Sequence, residues 1–494
     1  MNKTILRSTV FILSAALLAA CAPKTQPTLS APVSPPAPTD TDAIPPTQLP
    51  EDPTPTPSAT APPAPEGSHW LLINTENGLW MGWPDGSYSS LRITGTVIVP
   101  GLLSGALSER QGLFAYLTTS DPSRPHGNYP DLTLNVIQLE GGGPSAVIPL
   151  TSPATEPSEE FPSDIQRAMV EQPSLAWSPE GGRLAFIGAQ GGPSADLYEY
   201  IHESGDAVQL TDGPSQAYRP QWSPDGEWIV HFAAESFGTG AGASVTGAYA
   251  ARADDTRVIS LYDIPQYSGN EELLGWLDAD TAVMRSWFAT CGPSNLRLVN
   301  LRDETVDEAF DGCLSAAAVG DGAVLLAQSP ETGVFDESPR PGLYLLLAFG
   351  DRTPHLLSND DVRDAVWVPE AGVFLARTQD SRLLEVNLGG GIKTLPVGGS
   401  TLPAVAPGGR YWGYAYASQG IYIGEYGAEP ARIYEGEVVP GQMIFSPEGD
   451  AVYFISTSGN LYRAWAPDWT PALVASGIRP ASDWWLSMAW LGGG

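Results

Sequence analysis

Ala176-Trp177-Ser178-Pro179-Glu180-Gly181-Gly182-Arg183-Leu184-Ala185-Phe186-Ile187-Gly188 is a hairpin written out in full. Pro179 fixes φ near the value that the second position of a turn needs, and Gly181 or Gly182 can take positive φ at no steric cost. Short apolar runs on both sides predict two antiparallel strands. The pattern returns as Gln221-Trp222-Ser223-Pro224-Asp225-Gly226 before Trp228-Ile229-Val230. It returns again as Ile444-Phe445-Ser446-Pro447-Glu448-Gly449 before Val452-Tyr453-Phe454-Ile455. Weaker copies end in Pro369-Glu370-Ala371-Gly372 and Pro407-Gly408-Gly409. Units of about 40 to 50 residues that repeat one supersecondary motif mark a repeat protein.

Outward from this template, each unit reads as four short strands, a to d, with no helix needed. The template unit places them at 175–177, 184–187, 197–201 and 207–211, and the unit before it at 103–107, 113–117, 132–139 and 146–150. Further units begin near Trp222, Trp276, Ala317, Trp367, Val405 and Phe445. The first unit has only three strands, at 70–74, 78–83 and 90–94, and the chain ends in a lone strand at 484–491 containing Met488-Ala489-Trp490. Pairing that orphan with the first unit supplies its missing a strand and removes the open edges of the array. The expected fold is therefore all-β, a single β-propeller closed by its terminal strands. Counting units gives nine, whereas propellers of roughly six to eight blades are commoner, so about eight blades are expected, within a range of seven to nine. A tandem of sandwiches would explain neither the spacing nor the split first unit.

The Trp-Ser-Pro-Asp/Glu-Gly turns at Trp177 and Trp222, with the Phe445 variant, resemble the TolB-type, WD-like repeats of TolB and of the propellers in prolyl oligopeptidase relatives. The resemblance implies a scaffold, and such scaffolds serve many functions. This chain departs from TolB in its expected lipid anchor, in its Pro-rich stalk and in lacking a preceding non-propeller domain, so TolB's partners are not implied.

Composition bounds the rest. The 494 residues are 42% hydrophobic with 15 Trp, enough for a large core. Acids outnumber bases 56 to 24 and the net charge is −32, which excludes the clustered cations that nucleic-acid phosphates require. Lys3 and Arg7, an apolar run at 10–17 and the ending Leu18-Ala19-Ala20-Cys21 read as a signal peptide over 1–20. That ending resembles a bacterial lipobox, which implies acylation of Cys21 and a membrane-anchored, extracytoplasmic lipoprotein on the cell surface or periplasmic side. The alternative is an ordinary signal peptide with an incidental cysteine. Residues 21–68 are rich in Pro, Thr, Ala and Ser and cannot bury a core. Read as a disordered linker in polyproline geometry, this segment reaches up to about 140 Å and holds a propeller domain at 69–494 away from the membrane.

Enzyme signatures are scarce. No Gly-x-Ser-x-Gly occurs, and the five His, at 69, 126, 202, 231 and 355, lack metal-motif spacing. No catalytic residue, metal site or cofactor is assigned. Acids brought together around the axis remain open as an alternative. Cys291 and Cys313 flank one predicted hairpin of an exported chain and read as a disulfide; two buried thiols are the other possibility.

In a four-stranded meander the a-to-b and c-to-d turns share one face, and the b-to-c and d-to-a connections share the other. The long insertions all fall on the second: 118–130, 233–247, 286–294 and 329–341 join b to c, and 152–173 joins d to a. Long loops on a rigid scaffold are where binding resides. They supply the candidate contacts Tyr129, Phe161, Phe237, Trp287, Phe288 and Phe335, and the axial mouth adds Tyr218, Arg219, Arg363, Asp364, Asp483 and Trp484. Two functional classes follow. The first is a monomeric, tethered propeller that binds a protein or glycan of the cell envelope; the second is an extracytoplasmic hydrolase or lyase on a polysaccharide or peptide.

Overall fold

The computed structural model describes residues 56–57 and 69–492, apart from 123–128, 130, 140–143, 152–162, 239–242, 255–256, 264–267, 288–295, 311, 313, 329–339, 349–351, 399–401, 417 and 482–485. It is a β-propeller of nine four-stranded antiparallel blades, one for each sequence unit. The innermost strands, in ring order, are Met488–Gly492, Leu107–Ser108, Leu175–Trp177, Gln216–Trp222, Ser268–Trp276, Leu314–Gly320, Val362–Val368, Ala404–Val405 and Val438–Phe445. Blade 1 is completed by the chain's end: Met488–Gly492 pairs antiparallel with His69–Thr75, in the register Leu72↔Ala489. The pairing predicted from the orphan strand is therefore the closure of the ring. Thr56–Pro57, from the Pro-rich stretch, pairs with Ile93 and Thr94 on the outer strand of blade 1.

The template motif builds the same turn each time. Ser178 N donates to Arg183 O at 2.8 Å, Gly181 N to Ser178 O at 2.8 Å, and Arg183 N to Ser178 Oγ at 3.1 Å. Ser223 with Trp228 and Ser446 with Ala451 repeat all three bonds. The serine thus caps the turn with both backbone and side chain. The residue at positive φ is the first glycine, Gly181, at +81°, matched by Gly226 and Gly449.

The tryptophans before Ser178 and Ser223, and Trp490 on the inner strand of blade 1, have a different task. Trp177 Nε1 donates to Ala106 O at 3.0 Å, Trp222 Nε1 to Ala176 O at 2.8 Å, and Trp490 Nε1 to Phe445 O at 2.7 Å. Each indole reaches from an inner strand to the backbone of the blade before it, so the ring packs between blades while its N–H fixes their spacing. In blade 7 Trp367 presses on Gly320, where a Cβ would come within 2.5 Å of the indole.

Two local expectations are corrected. The strand expected at 103–107 is mostly a 3-10 turn, Leu103–Ala106, which still buries Leu103 and Ala106; the Gly105 N to Leu102 O bond of 3.0 Å closes that turn in place of strand pairing. The insertion at 233–247 is mainly strand. Trp228–Phe237 and Ala243–Arg252 extend the b–c hairpin of blade 4 with register shifts after Ala233, and Ala243 and Ser244 pair onward with Gly269 and Ser268 of blade 5.

Candidate binding platform on the insertion face

The connection from blade 2 to blade 3 contains a helical segment that sequence reading passed over. Asp164–Gln166 is α-helical and Arg167–Glu171 continues it as a π-type turn. Ser163 is its N-cap, its side chain accepting from Gln166 N at 3.3 Å. The Ser-x-x-Gln spacing of a capping box was the signal available for it. Ala168 and Met169 are the segment's own fully buried residues.

Its polar side chains tie blades 2 and 4 together. Gln166 Oε1 accepts from Tyr129 N at 2.8 Å, and Gln166 Nε2 donates back to Tyr129 O, fixing the b–c insertion of blade 2. Asp164 Oδ1 accepts from Phe237 N at 2.8 Å, and Arg167 Nη1 donates to Phe237 O at 2.5 Å, fixing the end of the b strand of blade 4. Past the helix, Gln172 Oε1 accepts from Arg219 Nε at 3.0 Å, and Pro173 O from Arg219 N at 3.1 Å. Of the candidate contacts, Tyr129, Phe237, Tyr218 and Arg219 are thus joined in one assembly, organised by residues that the sequence reading did not single out.

Arg219 is held at φ +53° at a register shift between Tyr218 and Gln221. Such bulges redirect a side chain, and here the guanidinium reaches across to blade 5, where Nη1 donates to Glu271 O at 3.2 Å. Tyr218 is buried, its ring 5.2 Å from Phe237 edge-on and 5.8 Å from Phe232. Burial pushes its hydroxyl well above the usual range. Tyr218 and Phe237 therefore support the platform from within rather than present themselves to solvent.

Between blades 4 and 5 lies a sealed polar network. The Glu271 carboxylate has no exposed surface. It accepts from Tyr262 Oη at 3.1 Å and from Ser286 Oγ, while Arg297 Nη1 donates to Ser286 Oγ at 2.8 Å. Arg297 stands 3.8 Å from Glu271 Oε2 and 4.4 Å above the Tyr262 ring. Burial pushes Glu271 up to about 7, against the opposing pull of Ser286, Arg297 and Tyr262. A carboxylate so enclosed is placed to latch two blades.

Arg363 and Asp364 lie on the inner strand of blade 7, where Arg363 pairs with Asp361 at 3.0 Å and Asp364 faces Arg377 at 4.0 Å. Trp287 ends the b strand of blade 5, paired with Asn270, and its side chain lies outside the described residues. Cys21, Phe161, Phe288, Cys291, Cys313, Phe335, Asp483 and Trp484 also lie outside them. A largely apolar cleft of about 640 Å³ lies among blades 8, 9, 1 and 2, lined by Met443, Ile444, Phe445, Leu486 and Trp490 together with His69, Glu109 and Arg110. Among the described residues no three His, Cys, Asp or Glu side chains converge as metal ligands.

No protein-family profile matches the chain. A stretch of 54 residues is 50% identical to the uncharacterized peptidase YuxL of Bacillus subtilis strain 168, covering 11% of this chain and 8% of that protein. The chain therefore matches under a tenth of that relative's length. Among solved structures, Porphyromonas gingivalis dipeptidyl peptidase 4 is 13% identical over 83% of this chain and 64% of its own, with a TM-score of 0.49. A eukaryotic initiation factor is 12% identical over 85% and 100%, at 0.48, and apo AztD from Citrobacter koseri is 10% identical over 87% and 99%, at 0.44.

Proposed function

We propose that the chain is an exported lipoprotein, tethered through Cys21, whose TolB-type propeller docks a protein or glycan of the cell envelope on its insertion face. The observation that carries this reading is the helical segment Asp164–Gln166 with Arg167–Glu171. Its bonds to Tyr129 and Phe237, with those of the following Gln172 and Pro173 to Arg219, hold parts of blades 2 and 4 as one preorganised surface, which lowers the ordering cost of binding. Glu271, whose carboxyl burial pushes up to about 7, is closed to any substrate and so offers no acid or base for catalysis. The local likeness to a peptidase covers 8% of that protein and carries none of its activity here.

The test places a photo-crosslinking residue at Glu171, exposed on the platform, and separately at Asp225, exposed on an a-to-b turn. In native envelopes, a discrete adduct from position 171 and none from 225 is the expected result. Adducts from 225 alone would put the working face on the opposite side. In parallel, Cys21→Ser is expected to move the protein to the soluble fraction; retention after a carbonate wash, with the signal peptide cleaved, would remove the lipid anchor from the reading.

A further inference from the structure

A second cleft, of about 400 Å³, opens on the insertion face between blades 3 and 4. One wall is the connection between these blades, Thr211 to Ser215, with Asp196 behind it. The other is the sheet of blade 4, which contributes His231, Thr246 and Tyr249. The platform described above does not use these side chains.

The lining has an unusual balance. Its charged residues are Asp196 and Asp212, and no Lys or Arg lines it among the described residues. Asp196 is 1% exposed. Its carboxylate accepts from Ser194 Oγ at 3.1 Å, Thr211 Oγ1 at 3.1 Å and Gly213 N at 3.2 Å, which leaves acceptor capacity unused. Burial, and to a lesser degree the like charge of Asp212, raises its proton affinity. His231, 3% exposed, stands in the cleft wall stacked on Tyr249 with ring centroids 5.7 Å apart; the Ile229 backbone pulls weakly on its ring, and its Nδ1 makes no hydrogen bond of good geometry. Burial holds this imidazole down at about 4, so it is neutral at physiological pH and offers an acceptor nitrogen. A buried ring nitrogen without a partner in the wall of an open cleft is costly unless something fills the space.

We infer that this cleft binds an organic cation, a primary ammonium or guanidinium group, with Asp196 and Asp212 supplying charge and His231, Tyr249 and the Thr and Ser hydroxyls supplying acceptors for its N–H donors. An anion would meet two carboxylates. A neutral polyol would leave their desolvation and mutual repulsion unrelieved. A metal ion would need ligands that converge, and Asp196, Asp212 and His231 do not converge as a metal-binding group. The volume admits one basic side chain or a small amine, so the cation comes either from a lysine or arginine of a docked protein or from a free amine.

The full chain labelled with [13C]histidine has five imidazoles, and the His231 signal is identified by its loss in His231→Gln. At neutral pH it is titrated with acetyl-lysine methylamide, with n-butylammonium, and with acetyl-lysine methylamide acetylated on Nζ as the neutral counterpart. Saturable movement of the His231 signal with the cations and none with the neutral compound is expected. Asp212→Asn, a change at an exposed position, should weaken the cations by about five-fold, the upper range for a charge pair that solvent reaches. Tighter binding of the peptide-borne lysine than of butylammonium assigns the cleft to a partner's basic side chain; equal or weaker binding of the lysine assigns it to a free amine. No saturable shift with either cation, an equal shift with the neutral compound, or no effect of Asp212→Asn overturns the inference. These probes read the cleft alone, so their failure leaves the platform reading untouched.

Discussion

The latch at Glu271 makes a quantitative prediction about pH. Two effects compete there: burial favours the protonated acid, and Arg297 at 3.8 Å favours the carboxylate. Burial wins, because the desolvation of an enclosed charge exceeds the attraction of a partner beyond hydrogen-bond distance, and the carboxyl moves from its ordinary 4.5 to about 7. Between those values the folded protein holds a proton that the unfolded chain has released. The contribution of this group is therefore fully present below about pH 4.5 and is lost as pH rises through about 7. At about 1.4 kcal/mol per pH unit, the loss is about 3 kcal/mol. Glu271→Gln keeps the shape and the hydrogen-bonding capacity of the protonated acid but cannot ionise. Urea unfolding of both proteins at pH 5, 6, 7 and 8 should show the variant gaining on the parent by about 2.5 kcal/mol across the series. All other titrating groups are common to both proteins and cancel in the difference. A difference independent of pH would mean that Glu271 is ionised throughout, and that the Arg297 pairing outweighs burial.

Three further outcomes test the fold. Trp222→Phe should cost about 1 to 2 kcal/mol in urea unfolding, since it removes the 2.8 Å bond that joins blade 4 to Ala176 O of blade 3; an unchanged midpoint would deny the indole its clamping role. Gly181→Ala should cost more than about 1 kcal/mol, because φ is +81° and a Cβ would lie 2.3 Å from Ser108 Oγ, whereas Gly182→Ala, with open space around it, should stay within about 0.5 kcal/mol. Thiol titration of the unreduced, denatured mature protein should find Cys291 and Cys313 both unreactive, and two reactive thiols would remove the expected bridge.

What could be read from the sequence is what is encoded locally. Ser178, Pro179 and Gly181 determine their turn through bonds made within six residues, so three copies of the motif announced three identical hairpins. Closure was legible for a related reason: a strand without a partner must find one, and the unit lacking strand a lay at the other end of the chain. The Glu271 network draws Tyr262, Ser286 and Arg297 from three other strands across two blades, and nothing in the spacing of those residues signals that they meet. The hairpin of blade 4 was hidden because its polar and glycine-rich tip reads as loop, while its pairing with Gly269 and Ser268 depends on the neighbouring blade. The helical segment lies between these cases, since its capping signal was local but its purpose, holding Tyr129 and Phe237 to one surface, exists only once the ring has brought blades 2 and 4 to either side of blade 3. In a propeller the repeat specifies the blade, and what distinguishes one face from the other is carried by residues that break the repeat, such as Gln166, Arg167 and Arg219.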